Sequence, residues 1–349
     1  MKNLKKIISL VLTLCLTAAL AAGCGSQSTP AATEAPETSA AADAVTEATK
    51  EAAETAEVTE AAAEGSPRMV GDVVIPTQEE ALDQLGLDKI PQKVLCTSYN
   101  TSMMAYTLGI EITATVDTNR PFPDELKALP NIGIVTGSTT FDFEQIISLS
   151  GDLVLGDSFF KSKLEPTLTE QGVKSYFVDA GTYRGMQEAV ALIGPAFGKT
   201  EEAVKLIEQW QEIAATASAE TADLEHPTIL CMTKGLMFTE NSYVGSLFDI
   251  LHIENATNSM GLGEDCPPYL PPEVEKILAA DPDIILIQGG NKGQQEEFIN
   301  ELNTSEAWAS LKAVKNGKVI GIDGNLFGML ATMECGEALV ELQQIVYGN

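Results

Sequence analysis

Apolar residues recur at Ala203, Leu206, Ile207, Trp210, Ile213, Ala214 and Ala217, the i, i+3, i+4, i+7 spacing of one helical face. The stripe predicts a single long helix over 200–223. Thr200 is its expected N-cap, Glu201 and Glu202 sit where the helix dipole favours negative charge, and His226-Pro227 lies past its end. At 1.5 Å per residue such a helix is about 35 Å long. On both sides of it the pattern changes to short apolar runs alternating with helix-length segments. Before it, strands are predicted at 94–97, 112–116, 132–135, 153–155 and 175–178. Helices are predicted at 103–108, 143–149, 164–171 and 186–193, with 98–102 as a loop and Gly194-Pro195 as a stop. After it come strands at 228–232, 284–288 and 319–322, and helices at 246–251, 272–279, 294–302 and 336–346. Strands alternating with helices predict parallel or mixed sheets covered on both faces. The expected fold class is therefore α/β: two Rossmann-like α/β lobes with central mostly parallel sheets, bridged by one long α-helix. The lobes are assigned to 68–185 and 225–349, with 186–224 as the helical linker.

The two lobes also repeat a local pattern. Glu144-Gln145-Ile146-Ile147 leads through Gly151-Asp152 into Leu153, and Glu275-Lys276-Ile277-Leu278 leads through Pro282-Asp283 into Ile284. Each is a glutamate-led helix, a tight turn carrying aspartate and an apolar strand, which points to a duplicated architecture.

Composition changes the picture at the N-terminus. Lys2, Lys5 and Lys6 precede an apolar run over 7–22, shorter than a membrane span of about 20 residues, so 1–23 reads as an export signal. Its end, Leu20-Ala21-Ala22-Gly23-Cys24, resembles the bacterial lipoprotein box. Cys24 is the expected lipidation site, anchoring the protein to the outer face of the cell membrane. Residues 24–67 are rich in Ala, Thr, Glu, Ser and Pro and hold no aromatic residue, the composition of a disordered acidic tether. The whole chain has a formal charge of −29, with 50 acidic against 21 basic residues. Nucleic acid is excluded as a partner, since binding it needs clustered Lys and Arg; the acidity favours a monomer through repulsion between copies.

No Walker A loop, Gly-x-Ser-x-Gly elbow, His-Glu-x-x-His or dinucleotide fingerprint occurs, so no enzyme signature and no covalently bound cofactor is expected. His226 and His252 are the only histidines and read as surface or packing residues, which makes a bare transition-metal site a poor fit. Cys96, Cys231, Cys266 and Cys335 follow no disulfide or metal spacing. In an α/β fold a ligand cleft lies at the loops after the strands. The candidates there are Tyr99, Asn100, Arg120, Phe159, Lys161, Tyr183 and Arg184 in the first lobe, and Lys234, Phe238, Tyr243, Tyr269, Asn291 and Phe327 in the second. Arg120, Lys161, Arg184 and Lys234 are the cations expected to meet an anionic ligand, and the aromatic residues supply flat apolar contact. Met103 and Met104, on a predicted core helix, read as packing residues.

Several segments resemble one family in its own order. These are the loop 98–102 before the helix ending at Gly109, Phe143-Glu144-Gln145-Ile146-Ile147 leading to Gly151-Asp152-Leu153-Val154, and Phe197-Gly198-Lys199-Thr200 entering the long helix. Asn241-Ser242-Tyr243-Val244-Gly245, Asp281-Pro282-Asp283-Ile284-Ile285 and the block from Trp308 to Val319 follow. Over roughly 90–349 the chain resembles the substrate-binding lipoproteins of ABC importers for iron–siderophore complexes, haem and cobalamin. Gly151 departs from the proline usual there, as Tyr99 does. The resemblance implies capture of a small-molecule metal chelate, with a ferric siderophore favoured and cobalamin or haem as alternatives. It also implies delivery to an ABC permease dimer with its ATPase. By position it implies that Glu144 and Glu275 dock onto permease arginines. A lipoprotein that senses or adheres without transport is the alternative from another class.

Overall fold

The computed structural model describes residues 66–135, 139–263 and 265–348, all within one compact unit. The leader, Cys24 and all but the last residues of the acidic tether lie outside the described residues.

In chain order the strands are β1 (Arg68–Val70), β2 (Val73–Ile75), β3 (Val94–Cys96), β4 (Ile112–Asp117), β5 (Asn131–Ile134), β6 (Thr140–Phe141), β7 (Leu153–Asp157) and β8 (Ser175–Val178) in the first half. They continue as β9 (Thr228–Met232), β10 (Met237–Phe238), β11 (Glu254–Asn255), β12 (Tyr269–Leu270), β13 (Ile284–Gly289) and β14 (Val319–Asp323). The helices are α1 (Gln78–Gln84), α2 (Tyr99–Thr107), α3 (Asp124–Lys127), α4 (Phe143–Leu149), α5 (Ser158–Glu170), α6 (Tyr183–Ala196) and α7 (Thr200–Thr221). Beyond α7 lie α8 (Tyr243–Ile250), α9 (Val274–Ala280), α10 (Lys292–Thr304), α11 (Lys312–Lys315) and α12 (Cys335–Tyr347).

The first sheet has the order β6-β5-β4-β3-β7-β8, parallel throughout except for β6 at its edge. The second runs β12-β10-β9-β13-β14, with β11 also on β9; β9, β11, β13 and β14 are parallel and the β10 and β12 pairings antiparallel. The strands Val-Leu-Cys of β3 and Leu-Val-Leu-Gly-Asp of β7 are buried at every position, as parallel strands covered on both faces must be. Two Rossmann-like lobes bridged by a long helix are thus what the hydrophobic pattern predicted.

The bridging helix α7 has 22 residues, about 33 Å. Ala203, Ile207, Trp210 and Ala217 of the predicted stripe are buried, and Leu206, Ile213 and Ala214 pack half-buried against the core. One boundary differs: Lys199, not Thr200, is the N-cap, and no side chain caps it. The preceding chain arrives from α6 in a tight turn in which the Lys199 N–H donates to Gly194 O at 2.7 Å, leaving Thr200 already helical. For the same reason Gly194-Pro195 does not stop α6, which runs on to Ala196. Gly194 serves another purpose, since a Cβ there would lie 2.3 Å from the Ala203 Cβ, so its absence lets α6 and α7 meet closely. One core cluster joins Val94, Cys96 and Leu155 of the first sheet to Ile229, Cys231 and Leu286 of the second through α6, α7 and α12. A core continuous from lobe to lobe resists large rotation between them, because packed interiors do not deform freely. The outer face of each sheet has its own smaller cluster.

The duplicated segment has a physical cause. The Asp152 carboxylate accepts from the N–H groups of Gln92 and Lys93 at 2.8 and 3.0 Å, while its own N–H donates to Lys93 O. Asp283 accepts from Thr228 N–H at 3.0 Å and donates its N–H to Thr228 O. Each aspartate thus locks the start of its strand, β7 or β13, to the start of the neighbouring β3 or β9. The reversals before them differ by one residue. Gly151 takes the left-handed conformation (φ +59) in the first lobe, whereas Asp281 (φ +43) takes it ahead of Pro282 in the second. Proline cannot adopt a positive φ, which accounts for glycine at 151.

Other differences are local. Residues 98–102, expected as a loop, are the cap and first turn of α2: the Ser98 hydroxyl accepts from Thr101 N–H at 3.1 Å. Helix α5 starts at Ser158, ahead of the expected 164, and holds Pro166 within it. The β1–β2 hairpin and α1 have no counterpart in the hydrophobic pattern. Arg68 ties the hairpin to Glu201 of α7 at 3.2 Å, and Gln211 of α7 donates to Val70 O at 2.9 Å.

Candidate functional site

In the first sheet the chain leaves β3 towards β4 on one side, while β7 lies on the other, so the strand order reverses between β3 and β7. The crevice outside the carboxyl ends of two such strands is where α/β sheets bind ligands. Here β3 runs into Ser98 and the first turn of α2, carrying Tyr99 and Asn100, and β7 ends at Asp157, from which α5 starts with Phe159. Arg120 follows β4. The second lobe answers with Gln288 and Gly290 at the end of β13, Gly324 and Asn325 after β14, and Met329 and Leu330 ahead of α12. Two adjoining cavities of about 380 and 430 Å³ lie between these edges and share Phe159, Met329 and Leu330. The second extends past Asp179, Glu188 and Tyr269. Both sizes are in the range of small-molecule sites.

A polar network crosses the floor. The Arg120 guanidinium lies over the Tyr99 ring, 3.9 Å from its centroid, and donates through Nη2 to Asn325 O at 2.6 Å. Tyr99 stacks on Phe122 at 5.1 Å, and its hydroxyl donates to Glu334 Oε1 at 3.1 Å. Arg120 and Tyr99 of one lobe thus each hold a residue of the other. Burial, with the Glu334 charge, pushes the Tyr99 phenol up to about 12. Burial also draws the Arg120 guanidinium below its ordinary value, against the pull of Tyr99 and Glu334, and it remains charged. Asp157, 2% exposed, is pushed up to about 6 by burial, which outweighs the Ser98 hydroxyl bonded to it and the nearby Arg120.

That shift carries a stability consequence. A carboxyl whose folded value lies above its unfolded value stabilises the fold while protonated, at low pH, and that contribution is lost as pH rises through about 6. The buried charge then costs about 1–3 kcal/mol at neutral pH. D157N is accordingly expected to raise the melting temperature at pH 7 and to leave it nearly unchanged near pH 4. A variant less stable than the parent at pH 7 would contradict this.

The structure brings together Tyr99, Asn100, Arg120 and Phe159 on the cavity walls, with Tyr269 on the second cavity, where its hydroxyl donates to Met329 O. Other candidates stand elsewhere. Tyr183 is 3% exposed and donates to Trp210 O at 2.7 Å; Phe238, Tyr243 and Phe327 are core. Tyr243 still faces the floor electrostatically, next to Arg120 and Glu334. Lys161 pairs with Glu165 at 3.5 Å, Arg184 with Asp72 and Glu188, and Lys234 with Glu301 at 2.7 Å, and none of the three lines either of these two cavities. Lys161 and Arg184 lie on helices α5 and α6, not on the strand-exit loops expected for them. Asn291 caps α10. Arg120 is thus the cation on these walls, against Asp157, Asp179 and Glu188. Asp157, Glu334 and Met329 were not foreseen. For Asp157 a signal existed, a lone acid closing an apolar strand just before a helix; for the other two the chain offers none.

Glu144 and Glu275 are exposed in the first turns of α4 and α9. Among the described residues Cys96, Cys231 and Cys335 are buried free thiols and Cys266 is a half-buried one. The same residues hold no group of three or more His, Cys, Asp or Glu placed for a metal ion, and no helix long and apolar enough to cross a membrane. Met104 is fully buried.

The periplasmic binding protein family matches residues 94–326. The high-affinity heme uptake system protein IsdE of Staphylococcus aureus is 24% identical over 262 residues, 73% of this chain and 87% of its own. An ABC transporter substrate-binding protein of Listeria monocytogenes has a TM-score of 0.68 at 26% identity, covering 75% of this chain and 100% of that one. S. aureus IsdE complexed with heme has a TM-score of 0.65 at 25% identity, covering 73% and 98%. The cleft between two carboxyl edges, the bridging helix and these matches agree with the resemblance read from the sequence: the chain belongs to the periplasmic binding protein family and is a binding protein, not an enzyme.

Proposed function

We propose that this chain is the extracytoplasmic solute-binding component of an ABC importer, lipid-anchored at Cys24, which captures an iron-bearing chelate in the interlobe cleft and hands it to a permease. The cargo the cleft fits best is haem. The observation that carries this reading is the character of the walls: Val135, Phe159, Phe160, Met329 and Leu330 make a broad apolar surface, with Arg120 as its cation. Such a surface suits a flat hydrophobic macrocycle whose charge is confined to an edge. The likeness to IsdE, a haem uptake protein, adds weight. A trianionic ferric catecholate would meet Asp157, Asp179 and Glu188 against one arginine. A ferric siderophore therefore remains the second reading in its uncharged hydroxamate form, favoured by the unpartnered polar atoms of the floor.

The test is a titration of the full chain with haemin, followed by its absorbance, beside thermal-shift titrations with ferric hydroxamate and ferric catecholate. Saturable haemin binding and a rise in melting temperature are expected, since a ligand of the folded state alone stabilises it by about 2.7 kcal/mol at a hundredfold excess over Kd. A shift with ferric hydroxamate and none with haemin would transfer the cargo to siderophores.

A further inference from the structure

Among the described residues five buried side-chain atoms lack a hydrogen-bond partner: Asn100 Oδ1, Arg120 Nε, Asp157 Oδ1, Tyr243 Oη and Glu334 Oε2. Three of them gather at one place: Asn100, Arg120 and Asp157 line one cavity, and Glu334 bonds Tyr99 of the same wall. Leaving a buried polar atom unpaired costs about 1–3 kcal/mol, so three on one cavity mark a floor built to receive a further polar group.

We infer that Asp157 and Arg120 form a proton-linked seat for a carboxylate of the cargo, in which protonated Asp157 donates from Oδ1 and Arg120 donates from Nε. The inference rests on the haem reading, because haem carries carboxylates at its edge. The groups facing Asp157 limit the alternatives. From β3 comes the Cys96 thiol, from the cap and first turn of α2 the Ser98 hydroxyl and Asn100, from the loop after β4 Arg120, and from the loop after β8 the Asp179 carboxylate. Across the cleft Glu334, Asp323 and Tyr243 act on the same arginine. Two carboxylates on the first lobe, with Glu334 and Asp323 opposite, already outnumber the one guanidinium. A further carboxylate entering beside ionised Asp157 is repelled. With Asp157 protonated, the repulsion becomes a hydrogen bond, and both orphaned atoms are satisfied at once. Burial already holds the Asp157 proton to about pH 6, close to neutrality, and an adjacent anion holds it further. Binding thus takes up a proton, and affinity rises as pH falls towards 6.

The test measures haemin affinity of the full chain at about pH 6, 7 and 8, with proton uptake from calorimetry in two buffers of different ionisation heat. For the parent chain the expected result is a loss approaching tenfold per pH unit above 6, with uptake close to one proton. D157N, whose amide still donates but does not titrate, is expected to show a flat profile and to bind more tightly than the parent at pH 8. Haem dimethyl ester, without free carboxylates, should bind the parent with no proton uptake. Haemin binding with the same pH profile in parent and D157N, or equal proton uptake with haemin and its ester, overturns the seat and leaves the haem reading standing. Failure of haemin to bind at any pH overturns both. If D157N does not fold, the comparison of haemin with its ester in the parent chain decides.

Discussion

Replacing Trp210 with alanine is expected to lower the stability of the folded chain by about 3–5 kcal/mol, the cost of truncating a fully packed indole. Trp210 is 3% exposed at the middle of α7, and its backbone carbonyl accepts the Tyr183 hydroxyl at 2.7 Å. A Cβ at Gly336 would lie 3.2 Å from Trp210 Cδ1, so the indole fills the space left by that glycine of α12. Around it meet α6, α7 and α12, the elements through which the cores of the two lobes are continuous. The cavity therefore opens where neither lobe can collapse into it alone, which puts the loss at the upper end for such truncations. Leu206→Ala, at a half-buried position of the same helix, is the control and should cost clearly less. Urea denaturation of the three chains measures both. A Trp210→Ala loss under about 1 kcal/mol would mean that the lobes do not depend on a shared core.

The second large effect concerns delivery. Reversing Glu144 and Glu275 to lysine together is expected to abolish import in cells while leaving cargo affinity within about twofold. Both carboxylates are exposed in first turns of helices, one on each lobe, at matching positions of the duplicated segment. Two such groups fix the orientation of a partner and bond strongly to arginine, whereas lysine there repels it. Neither residue lines the cleft cavities, so binding is untouched. Each reversal also sets a positive charge against the helix dipole, which costs only ~0.5 kcal/mol and does not unfold the chain. Cargo uptake by cells carrying the double variant is the measurement. Undiminished uptake would remove these glutamates from docking; no uptake even in the parent strain would favour a sensing or adhesive role.

The elements that the chain made legible were those whose own residues repeat with a short period, wherever their partners lie. The stripe on α7 and the apolar runs that open β3, β7 and β13 are read from periods of a few residues. The duplicated segment is read from its repetition, although the bonding partners of its aspartates lie 55 to 60 residues away. Two of the local differences came from short-range capping and turn bonds, and one from tertiary contact. Ser98 looks like a loop residue until its hydroxyl caps α2. Pro195 looks like a stop until the turn into α7 supplies the last hydrogen bonds of α6. The β1–β2 hairpin has no reason to form except against α6 and α7, a surface distant in sequence.

The cleft divides along the same line. From the sequence alone came the two-lobed α/β architecture, the helix between the lobes, and the placement of Tyr99, Asn100, Arg120 and Phe159 just after strands, where the cavity lies. What only the tertiary structure decided was which charges are free to meet a ligand. Lys161, Arg184 and Lys234 are neutralised by carboxylates that folding brings beside them, and Glu334, 235 positions from Tyr99, is joined to it by one hydrogen bond. A side chain's residue type is written in the sequence, but its ionisation and its partners depend on burial and on groups hundreds of residues away, which no local period encodes.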